Sequence, residues 1–276
     1  MPALLSALPD LDLLAWVVLV LGALTVGFSK TALPGAGTIA VGLFALALPA
    51  KESTAALLLL LIVGDMTALW VYRREPDVRT LIRLLPSAMV GVLIGVWFFA
   101  ISDGPTVRIT IGLILLALVV VTVWRRHVTT RREARAAQQA ADGTAPSATA
   151  STGSQPGAAA TAQGIGFGLL GGFTTMVANA AGPVMSMYFY AMRMPVLTFL
   201  GTSAWYFAII NLFKVPFSAG LGLMTREVLT LDLLLVPIVL VGAYLGSKVA
   251  RRIPQALFEN LVLALTVISA LALLVL

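Results

Sequence analysis

The sequence predicts an all-α, polytopic transmembrane helical protein made of two inverted repeats. Three observations carry this. The chain is 59% hydrophobic and only 11% charged over 276 residues. A soluble domain carries roughly 25% charged residues, so no soluble fold of this length could hide so much apolar surface. Apolar runs approaching the about 20 residues of a spanning helix follow one another along most of the chain. A proline and glycine pattern in the first half returns in the second.

The first repeat, residues 1–124, holds five apolar segments: Leu13–Ser29, Gly37–Leu48, Ser53–Tyr72, Leu81–Ile101 and Val107–Trp124. The second, residues 164–276, holds Gly164–Ala178, Pro183–Met192, Val196–Leu221, Leu229–Val249 and Ala256–Leu276. Residues 125–163 lie between them. They open with Arg125, Arg126, Arg131, Arg132 and Arg135 and continue as GTAPSATASTGSQPGAAATAQ. Such a composition cannot bury a core and reads as a flexible linker. Asp10 and Asp12 precede the first run without a basic residue, so Leu13 onward reads as a retained helix rather than a cleaved signal.

Lysine and arginine give the orientation. Arg73, Arg74, Arg79 and Arg83, the linker arginines, Arg193, and Lys248 with Arg251 and Arg252 all fall on one side if the helices alternate. Only Lys51, in a short external loop, Arg108 and Arg226 fall on the other. The positive-inside rule makes the arginine-rich side cytoplasmic. The expectation is a cell inner-membrane protein with a cytoplasmic linker and both termini extracytoplasmic. Trp16, Trp70, Tyr72 and Trp124, near segment ends, read as an interface belt.

The repeat rests on two matches in the same order. Pro86, Gly91 and Gly95 recur with identical spacing as Pro237, Gly242 and Gly246. Gly27-Phe28-Ser29-Lys30 aligns with Gly172-Phe173-Thr174-Thr175. Five segments per half is an odd number, so the second half inserts upside down, as in many secondary transporters.

The first two segments of each half are broken by KTALPGAG (Lys30–Gly37) and by NAAGP (Asn179–Pro183), where proline and glycine interrupt apolar stretches. The pieces that follow are short of a roughly 30 Å hydrocarbon core. Two arrangements fit: re-entrant hairpins entering from opposite faces, or tight turns between short tilted spans. Hairpin tips would meet near the midplane, where irregular backbone is tolerated only inside protein or along a wet cavity. Helix N-termini opening there would offer N–H groups to an anion.

The candidate substrate-binding residues follow from these breaks: Ser29, Lys30, Gly35 and Gly37 at the first, Thr175, Asn179 and Gly182 at the second, and Asn211 with Lys214 on the eighth segment. Lys30 is an ammonium at an apolar helix end, either an anion anchor or a lysine snorkelling to the interface. Lys214, nearer the outer surface, carries the same ambiguity. Asp65 lies about 10 Å inside the layer, counted from Tyr72. It suits proton coupling or an ion pair with Lys30.

No cysteine is present and the single histidine, His127, lies in a polar stretch. Thiolate chemistry and Cys- or His-built metal sites are therefore excluded, and no cofactor is expected. No nucleotide-binding loop occurs, and the basic excess of +6 belongs to loops rather than to nucleic-acid binding. The expected partners are the lipid bilayer, a small anion, and H⁺ or Na⁺ if movement is coupled; oligomerisation is compatible with the sequence.

The stretches FSKTALPGAGTIAV, Gly64-Asp65 with Tyr72-Arg73-Arg74, GFTTMVANAAGPVMSMY and GTSAWYFAIINLFKVP resemble the sulfite exporter TauE/SafE family, also called TSUP transporters. The resemblance implies a two-repeat membrane transporter for sulfite, another sulfur oxyanion or an organosulfonate, working by alternating access or electrogenic movement, and not an enzyme. A Gly-Gly-Gly run common in that family is here Pro34-Gly35-Ala36-Gly37, so the family does not fix the substrate. The rival reading is a non-transporting scaffold or assembly subunit, which would not need lysines at helix breaks.

Overall fold

The computed structural model describes residues 11–32, 36–74, 76–114, 158–192 and 196–249, with isolated positions 116–117, 120–121, 124, 128 and 194. The described residues form helices throughout. In chain order they are α1 (Leu13–Ala32), α2 (Gly37–Ala47), α3 (Ala50–Tyr72), α4 (Val78–Ile101) and α5 (Gly104–Ile114), then α6 (Ala158–Ala178), α7 (Ala181–Ala191), α8 (Val196–Gly220) and α9 (Arg226–Val249). The segment Ala256–Leu276 and residues 129–157 of the linker lie outside the described residues.

Four helices, α1, α3, α4 and α9, are long and apolar enough to cross a membrane. Helix α8 is longer still at 25 residues, but Thr202, Ser203, Asn211 and Lys214 interrupt its apolar run. Helices α2 and α7 have 11 residues each, about 16 Å of helix, roughly half a hydrocarbon core.

Polarity is reversed relative to a soluble protein. Leu93, Ile94, Trp97 and Ile101 on α4, and Leu233, Leu240 and Tyr244 on α9, lie on the surface, while Asp65, Asn211 and Lys214 are buried. An apolar exterior of this extent calls for lipid around it. Trp70 and Trp124 are exposed as a belt requires, but Trp16 packs on the core and the Tyr72 hydroxyl donates to the Thr31 carbonyl at 2.9 Å.

The two most extensive helix pairs are α4 with α6 and α1 with α9. Each joins a helix before a break to the proline-bearing span of the other half. A Cβ on Gly27 of α1 would strike the backbone of Val239 on α9, and one on Gly172 of α6 would strike that of Ala88 on α4. Gly91 and Gly242 meet the opposite backbones of Leu169 and Leu24 in return. The glycines that mark the sequence repeat are thus the residues that let these backbones approach.

Three local details differ from expectation. Helix α6 begins at Ala158, six residues before the expected Gly164. Its opening, Ala-Ala-Ala-Thr-Ala-Gln, is a good helix former once an adjacent helix extends into it. Helix α7 begins at Ala181 rather than Pro183, so the proline sits in the first turn, where its missing N–H costs nothing. Lys51 is not a loop residue: it stands in the first turn of α3, and its ammonium donates to the Ser102 carbonyl at 2.6 Å, just past the end of α4. Asp77 caps α4, accepting from the Thr80 N–H at 3.1 Å and hydroxyl at 2.7 Å. Partial burial opposes its charge, but these hydrogen bonds prevail and hold its carboxyl below the usual range.

Candidate functional site: an anion-sized cavity between the chain breaks

Residues flanking both breaks line one cavity of about 40 Å³. Since about 10–15 Å³ holds a water, this is room for roughly three waters or one compact ion. The end of α1 supplies Ser29 and Lys30, and the start of α2 supplies Gly37 and Thr38. The second break supplies Thr175, Asn179 and Gly182, while Asp65 comes from α3 and Ser203, Phe207 and Asn211 from α8.

Lys30 lies in the last turn of α1 because the helix runs on to Ala32 before the proline- and glycine-rich stretch. Its ammonium pairs with Asp65 Oδ1 at 2.5 Å; the lysine side chain keeps 12% exposure and the aspartate none. The same ammonium sits 4.4 Å from the centroid of the Phe207 ring, in cation–π contact. The other carboxylate oxygen of Asp65 accepts from Asn211 Nδ2 at 2.7 Å. Lys30 is therefore held by an acid inside the cavity rather than snorkelling to the interface.

At the second break Asn179 adopts φ +51°, a left-handed conformation that asparagine tolerates better than most residues. Its N–H and that of Ala180 bond back to the carbonyls of Thr175 and Thr174, closing α6. The Asn179 amide donates to the Thr54 carbonyl on α3 at 2.9 Å, tying the break to the opposite half. The first turn of α2 faces the cavity at Gly37 and Thr38, and its N-cap residue, Ala36, makes no side-chain capping bond. Its N–H groups and dipole favour negative charge there.

Of the ten residues expected from sequence, eight line this cavity: Ser29, Lys30, Gly37, Asp65, Thr175, Asn179, Gly182 and Asn211. Gly35 lies outside the described residues. Lys214 is fully buried but does not line the cavity; it stands behind Thr175, Asn179 and Asn211, with its ammonium bonded to all three. Its ammonium is thus held inside the protein rather than snorkelling to an interface. The Ser29 hydroxyl donates to the Val26 carbonyl at 2.9 Å, the local bond that hydroxyls in membrane helices commonly form.

Ser203 and Phe207 escaped sequence reasoning. The Ser203 hydroxyl is buried without a hydrogen-bond partner and lines the cavity, a free donor for a ligand oxygen. The available signal was register: residues 203, 207, 211 and 214 recur at helical spacing on one face of α8. Asp232, a lone acid in an apolar run of α9, was also passed over; it is buried with both carboxylate oxygens unpartnered, away from the cavity. Among the described residues no acidic, histidine or cysteine cluster could hold a metal.

The family model described as Sulfite exporter TauE/SafE matches residues 19–273, nearly the whole chain and both breaks. This protein belongs to the TauE/SafE family. Comparison with curated proteins and with solved structures returned no match. As a TauE/SafE protein it is a multi-pass membrane transporter of small anions and not an enzyme, and the cavity is where the Lys30–Asp65 pair and residues flanking both chain breaks meet.

Proposed function

We propose that this TauE/SafE transporter moves sulfite, another sulfur oxyanion or an organosulfonate through the cavity, with Lys30 as its charged anchor. The observation that carries this is the Lys30–Asp65 ion pair at the mouths of two broken helices. Asp65 acts as an internal substitute for substrate: an arriving oxyanion takes its place on the Lys30 ammonium. The α2 N-terminus, the Ser203 hydroxyl and the second-break residues supply further donors. A cavity of about 40 Å³ suits a compact oxyanion, and an organosulfonate requires it to widen. Removing an acid from the lysine invites either protonation of Asp65 or capture of a cation beside it, so H⁺ or Na⁺ coupling resides at Asp65. Without coupling, an inside-negative potential favours anion exit by about 2.3 kcal/mol per charge per 100 mV.

The finer architecture belongs to the same proposal. Two inverted repeats, comprising α1–α5 and α6 to the chain end, would each open with a re-entrant hairpin, α1/α2 and α6/α7. The reciprocal glycine contacts and the short second helices support it. Rocking one repeat against the other gives alternating access. The arginine bias supports an inner-membrane location with the linker in the cytoplasm. The native chain has no cysteine, so Ser6→Cys should react with an impermeant thiol reagent in intact cells and Ser151→Cys should not; the reverse labelling rejects the orientation. The functional test is flux into proteoliposomes across sulfite, thiosulfate, sulfoacetate, taurine and simple carboxylates. Sulfur anions should move and carboxylates should not; equal flux of all, or of none, rejects the reading.

A further inference from the structure

Lys214 is a buried cation that the cavity does not use. Its ammonium donates to Asn179 Oδ1 at 2.6 Å, the Thr175 carbonyl at 2.7 Å, Thr175 Oγ1 at 3.2 Å and Asn211 Oδ1 at 3.3 Å. All four acceptors are neutral oxygens. The charged groups that bear on it are Lys30 and Asp65, and Asp65 is engaged by Lys30 and by the Asn211 amide. The Thr175 carbonyl belongs to the last turn of α6, the negative end of that helix dipole. Neutral oxygens from the second break and from α8 converging at a helix C-terminus are what a free monovalent cation takes in a broken-helix carrier.

We propose that Lys214 is a tethered cation: its ammonium fills a monovalent-cation site built by the second chain break. Its role is positioning. By drawing Oδ1 of both Asn179 and Asn211 toward itself, it turns their Nδ2 groups to α3, onto the Thr54 carbonyl at 2.9 Å and Asp65 Oδ2 at 2.7 Å. The ammonium thus holds the second break, α8 and α3 in one arrangement, and it sets the second hydrogen bond that keeps Asp65 aimed at Lys30. Removing the ammonium while keeping the oxygens leaves a vacancy matched to a free cation.

The experiment uses the full chain purified in detergent, with thermal unfolding followed at equal ionic strength in the chlorides of choline, sodium, potassium and ammonium. Chloride is common to all four, so effects at the anion cavity cancel. This separates failure here from failure of the sulfur-anion reading, which rests on flux. Lys214→Ala should unfold earlier than the parent in choline chloride and recover on the order of 5 °C in ammonium chloride, with sodium and potassium ranking the size of the vacancy. The parent should show no such difference. Lys214→Met fills the space with an apolar chain of similar length and should unfold early in every salt. The proposal is overturned if Lys214→Ala behaves alike in choline and ammonium, if the parent and Lys214→Met share its salt response, or if Lys214→Ala cannot be recovered even in ammonium chloride.

Discussion

At the first chain break a lysine in the last turn of α1 faces an acid. At the second, the aligned position is Thr175, and the ammonium arrives instead from Lys214 on α8, into neutral oxygens. Asp65 and Asn211 occupy the same position counted from the starts of α3 and α8 and bond each other across the centre. One half therefore carries a charge pair that borders the cavity and the other a cation sealed behind it. The difference teaches how one chain can set two buried ammonium groups to two tasks at its two breaks. An ion pair whose partner is an anion can exchange that partner for substrate, while an ammonium bound only by neutral oxygens and buried completely serves to hold backbone.

The sharpest way to break this comparison is to remove the exchangeable charge. Lys30→Ala should abolish anion binding and flux, because the cavity then keeps Asp65 as an uncompensated negative charge; Lys30→Arg should retain part of both. Isothermal titration and proteoliposome flux measure the two. Full activity in Lys30→Ala would move the anion site to backbone N–H groups and the second-half residues.

Next in size is removal of the internal competitor. Asp65→Asn leaves Lys30 unpaired in the empty protein, and breaking a buried pair by removing one partner costs about 3–5 kcal/mol. A bound anion recovers much of that. The empty variant should melt lower than the parent, sulfite should raise its Tm more than it raises the parent's, and affinity should improve by at least about tenfold. Turnover should fall, since release exposes the bare ammonium. Unchanged affinity would mean that Asp65 does not compete with substrate.

The equivalence of the two halves can be tested at their glycines. Gly27→Val and Gly172→Val each drive a side chain into the opposing backbone and should each destabilise by about 1–3 kcal/mol or more. A large loss in one and none in the other would show that the α1–α9 and α4–α6 contacts are not counterparts. The smallest effect concerns helix ends away from the cavity. Asp77→Ala removes the cap of α4 and should cost about 1 kcal/mol. The Asp77 carboxyl is held below its ordinary value of 3.8, so its charge-dependent part is fully present above that pH and is lost as pH falls further. A parent-minus-variant stability difference that stays constant down to pH 2 would contradict this. Lys51→Ala belongs with it, as a helix-end contact rather than a silent surface change.

The sequence by itself determined the class of the protein and marked the chain breaks whose flanking residues line the cavity. Composition allows no soluble fold, the arginine distribution supplies an orientation to test, and KTALPGAG and NAAGP announce broken helices because proline and glycine act through local backbone sterics. Lys30 and Asp65 stood out because a charge inside an apolar run is costly wherever the chain goes. What only the tertiary structure decided is which of these groups face each other. Lys30 and Asp65 meet through the packing of α1 on α3, and Lys214 is drawn behind the cavity lining by Thr175 and Asn179 of the second break, together with Asn211 of its own helix. Ser203 and Phe207 enter the site through the rotation of α8 about its axis. The start of α6 at Ala158 likewise depends on helix continuation that composition does not show. Local breaks are written in adjacent residues, and the Asn211–Lys214 contact in helical spacing, but the partners across helices, Asp65 for Lys30 and Thr175 and Asn179 for Lys214, are chosen by long-range packing.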